Sequence, residues 1–228
     1  MNTVKQRFEH IKKLTCIAMF CSLAYIVSFC FPIKVEFLTF DAKDSIIAIG
    51  GMFFGPLSAA AMSVIVPILE MPSSSTGFYG LIMNFLSSAA FSITASLVYK
   101  YRRKMSGAII GLSLSVIVTT AIMLVANIFI TPIYAAYVGF PIDIYKELPR
   151  LILPFNLTKA VMNASLVLLL YKPLTNALRA SKLITGSEAV KSSSKKTTIL
   201  TLVAAVALLI AAIIVYLVVF KADFKFFK

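Results

Sequence analysis

Long apolar runs, separated by short polar segments, make up most of the chain. They lie at about 14–32, 77–99, 107–132, 150–171 and 197–220. An α-helix needs about 20 apolar residues to cross the roughly 30 Å hydrocarbon core of a bilayer, and each run approaches or exceeds that length. The pattern therefore predicts an all-α integral membrane protein that has the lipid bilayer as its main solvent.

One further apolar stretch, residues 45–69, allows two interpretations. It contains no charged residue, and its length favours a single span. In its middle, Gly55 and Pro56 are residues that break helices, and they favour two helices at about 44–55 and 56–70. Each would reach only about 19 Å, so neighbouring helices would have to shield them.

The basic residues favour the two-helix interpretation. Cytoplasmic loops of membrane proteins carry an excess of Lys and Arg. If residues 45–69 cross the membrane twice, residues 1–13, the cluster at 100–104 and the basic loop at 172–196 all face the cytoplasm, with 14 of the 22 basic residues on that side. The predicted organisation is then a cytoplasmic N-terminal segment at 1–13, a six-helix membrane domain at 14–180, a cytoplasmic linker at 181–196, an additional transmembrane helix at 197–220 and a tail at 221–228.

Composition supports a membrane protein. Hydrophobic residues make up 60% of the chain and charged residues 14%, whereas soluble domains have about 45–50% and about 25%. The net charge of +13 is explained by cytoplasmic loops, and we expect no nucleic-acid partner. Three cysteines in the first apolar run and a single histidine match no metal or redox motif, so we expect no metal site and no cofactor.

Four polar residues lie at a similar depth inside the predicted spans. Asn84, Asn127, Asn156 and Lys159 each fall roughly 8–14 Å below the outer surface at 1.5 Å of rise per residue. Polar side chains are costly in hydrocarbon and usually face the bundle interior, where they mark a substrate path. Each asparagine alone is equally compatible with interhelical hydrogen bonding. Together, the four predict a binding layer in the outer half of the membrane.

Lys159 is the strongest single signal. An uncompensated lysine near a helix centre costs about 2.5–3.5 kcal/mol on insertion, so a function is expected. We predict that Lys159 binds a ligand. Structural alternatives are hydrogen bonds to carbonyls near Pro154, or a pair with Glu70 or Asp41.

The chain carries no recognisable catalytic apparatus. No G-x-x-x-x-G-K-[ST] motif is present, and no nucleophile, base and orienting group can be assembled from its nine acidic residues and one histidine. We therefore expect a protein that is not an enzyme and that takes energy for active transport from another protein.

Four segments resemble one family. FLTFDAKD, FFGPLSAA, MPSSSTGFYGLIMNFLSS and LPFNLTKAVMNASL occur in this order. Over about residues 10–180 the chain resembles the substrate-capturing S components of energy-coupling factor (ECF) vitamin transporters, and among them the riboflavin-specific type. The resemblance implies a six-helix bundle with a cytoplasmic N-terminus and a riboflavin pocket near the outer face.

The resemblance also implies the site residues. The flavin would be bound by Asn127, Asn156 and Lys159, and a loop segment would close over it. That segment consists of Leu38, Thr39, Phe40 and Asp41. Apolar walls suited to a flat ring system are expected from Phe40, Phe78, Tyr79 and Phe155, and Asn84 joins the site through its depth.

Partners follow from the same resemblance. The chain would dock onto a transmembrane coupling protein and two ABC-type ATPases in a bacterial cell (inner) membrane, with Ala18 and Ser22 matching the small-residue motif of the docking helix. The span at 197–220 departs from the six-helix pattern. Alternatives are an S component for folate, thiamine, biotin or pantothenate, a stand-alone facilitator, and a membrane enzyme.

Overall fold

The computed structural model describes residues 2–30, 33–35, 38–74, 76–138, 148–181, 195–215 and 218. Within them the order of elements is α1 (Asn2–Cys30), β1 (Ile33–Val35), β2 (Leu38–Phe40), α2 (Lys43–Phe54), α3 (Pro56–Glu70), a 3₁₀ turn (Met71–Ser73), α4 (Gly77–Tyr101), α5 (Met105–Val138), α6 (Leu148–Ala180) and α7 (Lys195–Val215). The described part of the chain is thus almost entirely helical, as predicted.

The connection between α1 and α2 departs from an all-helical fold. β1 and β2 pair antiparallel, with Ile33 opposite Phe40 and Val35 opposite Leu38. Residues 33–40 alternate too briefly for a strand signal to stand out beside the long apolar runs. This small hairpin leads the chain directly into the buried start of α2.

The helices also run further than the apolar segments. α1 includes most of the segment expected to precede the first span, and α6 continues from Leu148 to Ala180. An apolar run marks the part of a helix that lies in hydrocarbon. The helix itself can continue into polar sequence, because its backbone hydrogen bonds do not require apolar side chains.

The stretch 45–69 belongs to two helices that meet at Gly55. Gly55 has φ +98°, a conformation that glycine adopts readily because it has no Cβ. Pro56 occupies the first turn of α3, where a backbone N–H has no partner within the helix and its absence costs nothing. α2 has 12 residues, and those from Lys43 to Phe53 are buried. The short helix is therefore enclosed by protein, as its length requires.

Small residues allow α2, α3 and α4 to approach closely. A Cβ added at Gly51 would lie 2.6 Å from the Cβ of Ala59 and 3.1 Å from the Cβ of Ser96. Serine hydroxyls bridge the same region, with Ser63 Oγ and Ser92 Oγ 3.0 Å apart. These helices pack as membrane helices commonly do, through small side chains and interhelical hydrogen bonds.

α6 is the most deeply buried of the long helices. It contacts α2, α5 and α7, and Tyr171, toward its C-terminal end, bonds hydroxyl to hydroxyl with Tyr99 of α4. α7 packs on α6 through Thr201, Ala205 and Ala212, which are buried. The appended helix therefore belongs to the same packed body.

Five described helical segments are long and apolar enough to cross a membrane: Gln6–Cys30, Pro56–Ser73, Gly77–Tyr101, Met105–Tyr137 and Ile152–Leu178. α2 and the described part of α7 are apolar but shorter. The protein is a multi-pass membrane protein.

Candidate functional site

A cavity lies between α4, α5 and α6, next to the 3₁₀ turn that follows α3. Its volume is about 160 Å³, below the roughly 300–1,000 Å³ of typical small-molecule sites. Ser73, Ser74 and Thr76 form its edge at the 3₁₀ turn.

α4 and α5 each present one helical face to the cavity. On α4 the lining positions include Gly80, Met83, Asn84 and Ser87, which follow i, i+3, i+4, i+7 spacing. On α5 they are Met123, Asn127, Ile130, Thr131 and Tyr134, again at helical spacing. Both faces carry apolar and polar residues together, so the cavity offers an apolar surface with a few placed polar groups.

The structure brings together the four polar residues selected by depth. Asn84, Asn127, Asn156 and Lys159 all line this cavity. Asn127 and Asn156 each donate an amide hydrogen to the carbonyl four residues earlier on their own helix, at 2.7 and 2.9 Å. These bonds orient the amides, and the contribution of the four residues to ligand binding stays a prediction.

The expected aromatic residues are distributed unevenly. Tyr79 and Phe155 line the cavity, and Phe40 is buried with its ring centroid 4.4 Å from that of Phe155. Tyr134 lies 5.5 Å from Tyr79, centroid to centroid. Phe78 is 61% exposed and is not among the lining residues, because it is adjacent to Tyr79 on α4 and so points about 100° away.

Lys159 faces the cavity and is also paired with Asp41, one of the structural alternatives considered for it, and its binding of a ligand stays a prediction. It lines the cavity, and its Nζ lies 3.1 Å from Oδ2 of Asp41, which is 3% exposed. Asn163, one helical turn further along α6, donates to the carbonyl of Asp41 at 3.1 Å and accepts from the N–H of Ser45 at 2.9 Å. The hairpin end is thus attached to α6 by an ion pair and one hydrogen bond, and the start of α2 by a second hydrogen bond.

Neighbouring charges change the acidity of Asp41. Burial raises the pKa of its carboxyl, but the ammonium groups of Lys159 and Lys43 outweigh that effect, and the pKa lies below its ordinary value. Asp41 is therefore ionised at neutral pH, and it compensates the charge of Lys159.

Three carboxylates lie directly behind polar residues of the cavity wall. Asp41 pairs with Lys159, Asp44 accepts from Ser87 Oγ at 3.3 Å, and Glu70 accepts from Asn84 Nδ2 at 3.3 Å. We call Asp41, Asp44 and Glu70 the carboxylate layer.

A second lysine neutralises part of the carboxylate layer. Lys43, 2% exposed, forms a salt bridge with Glu70 and lies 3.6 Å from Asp41 Oδ2. Buried ions of this kind are retained only when they are paired.

Several members of this arrangement were not predicted from the sequence. Lys43 and Asp44 lie at the predicted start of a helix, where charged residues are ordinary, and Ser87 lies within a predicted span, where a serine commonly forms hydrogen bonds within or between helices. The one available signal was FLTFDAKD, with three charges immediately before an uncharged apolar stretch. Tyr134 gave no signal, because an aromatic residue near the end of a span is typical of the membrane interface.

The remaining predicted positions either lie away from the cavity or have side chains that the structure does not describe. Leu38 and Thr39 belong to β2, and their side chains lie outside the described residues. Ala18 and Ser22 are exposed on α1, where Ser22 Oγ donates to the carbonyl of Ala18 at 3.0 Å. Among the described residues, no three His, Cys, Asp or Glu side chains are grouped so that they could hold a metal ion.

Residues 12–171 match the family model described as "ECF transporter, substrate-specific component". The chain is 30% identical over 183 residues to the riboflavin transporter RibU of Staphylococcus aureus, covering 77% of this chain and 96% of that protein. It is 28% identical over 178 residues to riboflavin transporter RibU of Streptococcus thermophilus, with 73% and 84% covered.

A third relative and a solved structure are similar. Riboflavin transporter FmnP of Bacillus subtilis is 26% identical over 187 residues, with 76% of this chain and 98% of that protein covered. A solved structure titled "Structure and mechanism of the S component of a bacterial ECF transporter" is 29% identical, with a TM-score of 0.64 and coverage of 75% of this chain and 99% of its own. α7 lies beyond the segment matched by the family model.

Proposed function

Because the chain belongs to the substrate-specific (S) components of ECF transporters, we propose that its cavity binds riboflavin for uptake into the cell. The observation that carries this proposal is the convergence of Asn84, Asn127, Asn156 and Lys159 on a single cavity with aromatic walls. The names of the three relatives, all riboflavin transporters, supply the substrate.

The cavity chemistry suits this vitamin. Riboflavin combines a flat, partly apolar ring system with a pyrimidine edge rich in donors and acceptors and a chain of hydroxyls. Met83, Met123, Ile130 and Phe155 supply apolar surface, while the amides and the Lys159 ammonium are suited to the polar edge and the hydroxyls. The hairpin end at Phe40 and Asp41 is attached to the same wall.

Transport would use the energy of other proteins. In this proposal the chain docks onto a transmembrane coupling protein with two ABC-type ATPases in a bacterial cell membrane, and it has no catalytic role of its own. The exposed small residues Ala18 and Ser22 on α1 leave a surface that a partner helix can approach closely. Riboflavin is the transported ligand rather than a cofactor.

Uptake into proteoliposomes tests the proposal against a stand-alone facilitator. Vesicles containing the chain together with a coupling protein and its ATPases should accumulate labelled riboflavin when ATP is supplied. Vesicles containing the chain alone should show no uptake above empty vesicles. ATP-independent equilibration by the chain alone would instead establish a facilitator, and accumulation of thiamine or folate in place of riboflavin would assign another vitamin.

A further inference from the structure

The connection between α4 and α5 carries the densest group of positive charges in the chain. Four exposed basic residues fall within five positions: Lys100, Arg102, Arg103 and Lys104. We call these four residues the basic turn. The flanking segments Gly77–Tyr101 and Met105–Tyr137 are both long and apolar enough to cross a membrane, so the basic turn lies at a membrane surface.

The helices on both sides hold the backbone of the basic turn in place. Tyr99 and Met105, which flank it, are buried in the hydrophobic core, and the N–H of Lys104 donates to the carbonyl of Arg102 at 2.8 Å. A Cβ added at Gly107 would lie 1.9 Å from that same carbonyl oxygen, so the first turn of α5 packs directly against the connection. The four charges are therefore presented from a fixed backbone, which reduces the entropy lost when they bind a partner.

No acidic residue of α4 or α5 neutralises the basic turn. The sequence from 71 to 142 contains no Asp or Glu, and the ion pairs among the described residues all belong to the carboxylate layer and its lysines. That layer meets α4 at Asn84, Ser87 and Ser88, at least about 18 Å along the helix from Lys100. The described part of the chain thus leaves the positive charges of the basic turn uncompensated.

Exposed apolar side chains next to the basic turn favour a lipid over an acidic soluble partner. Leu97 on α4 and Ile109 and Ile110 on α5 lie within two helical turns of it and are 36–46% exposed. Acyl chains can cover this apolar surface while a headgroup contacts the charges, whereas a soluble protein would leave it uncovered.

We propose that the basic turn binds the headgroup of an anionic phospholipid. Basic residues immediately beyond a transmembrane helix attract anionic lipids, whose phosphates lie at the level where the helix ends. The adjacent guanidinium groups of Arg102 and Arg103 are suited to bidentate hydrogen bonds with phosphate oxygens. Tyr101, 79% exposed, is an aromatic residue of the kind found at the membrane–water interface. A zwitterionic headgroup binds less well because its own ammonium group repels the basic turn.

Native mass spectrometry of the full chain purified in detergent tests this proposal. The protein is titrated with dioleoyl phosphatidylglycerol or with dioleoyl phosphatidylcholine, two lipids with the same acyl chains and different headgroup charge. We expect the first phosphatidylglycerol molecule to bind at least about fivefold more tightly than phosphatidylcholine. Arg102→Gln combined with Arg103→Gln should bring the two affinities within about twofold of each other. The melting temperature of this variant should stay unchanged, because both side chains are exposed.

Arg7→Gln combined with Lys13→Gln is the matched control. It also removes two exposed positive charges, but from α1, where Glu9 lies between them in the sequence. The preference for phosphatidylglycerol should stay unchanged in this variant, and riboflavin binding should stay unchanged in both double variants.

Four results would overturn the inference, and none of them affects the proposed function of the cavity. Equal binding of the two lipids by the unmodified chain would leave an acidic protein surface as the occupant of the basic turn. A preference that persists in the Arg102 and Arg103 variant would place the lipid elsewhere. An equal loss in the control variant would show that binding follows total charge. Displacement of phosphatidylglycerol by millimolar inorganic phosphate would indicate a site for a free anion.

Discussion

Lys159 lies at the junction of the cavity and the carboxylate layer. Its position on a buried face of α6 was predictable because a lysine in an apolar segment is rare. Its partner was not predictable, since Asp41 is 118 positions away in the chain and Glu70 was an equal candidate. The structure shows Asp41 beside Lys159, whereas Glu70 pairs with Lys43.

Replacing Lys159 should weaken ligand binding strongly. Lys159→Ala removes a cavity donor and leaves Asp41 without one of its compensating charges, so riboflavin affinity should fall at least tenfold, or about 1.4 kcal/mol. Titration by quenching of flavin fluorescence measures this change. Lys172→Ala, at an exposed position on the same helix, should leave affinity unchanged. Equal affinities of the two variants would exclude a ligand role for Lys159.

The α2 and α3 helices show what local sequence predicts about elements. The Gly55-Pro56 pair marks the helix break because its backbone chemistry is local. The burial of α2 from Lys43 to Phe53 is not local, since it depends on contacts with α1, α3, α4 and α6. The same limit applies to β1 and β2, whose pairing left no clear periodic signal.

The close approach of α2 and α3 predicts a stability effect at Gly51. Gly51→Ala would place a methyl group 2.6 Å from Ala59 Cβ, and overpacking of this kind costs about 1–3 kcal/mol. We expect a lower melting temperature in detergent. Adding Ala59→Gly removes the nearest clashing atom and should recover part of the loss. A melting temperature unchanged in Gly51→Ala would show that the helices separate freely.

α7 should stabilise the bundle without shaping the cavity. None of its described residues lines the cavity, and its buried residues pack on α6. A chain ending at residue 181 should therefore melt several degrees lower, while binding riboflavin within about threefold of the full chain.

A larger side chain at the α6–α7 interface provides a second test of whether α7 stabilises the bundle. Ala205 is fully buried and Val206 is 43% exposed. Ala205→Leu should reproduce much of the loss of stability, whereas Val206→Leu should have no effect. If truncation leaves the melting temperature unchanged, α7 is an independent addition to the bundle.

At the scale of the whole molecule, the charge distribution and the apolar pattern predicted the membrane architecture. The ordered motifs pointed to the family, which the match over residues 12–171 shows. Counting residues inward from the ends of the predicted spans selected polar residues on three helices. The count works because every span crosses the same hydrocarbon layer, so depths on different helices can be compared. The carboxylate layer escaped the same counting, since its charges compensate one another only in three dimensions.

The most direct test of the central claim is a titration of the purified chain with riboflavin, with thiamine and folate as controls. The chain contains no tryptophan, so quenching of the flavin's own fluorescence reports binding. We predict saturable binding at one site with a dissociation constant in the nanomolar range, about −12 kcal/mol, and none with the two controls. Folded protein that ignores riboflavin, or that prefers thiamine or folate, would contradict the account.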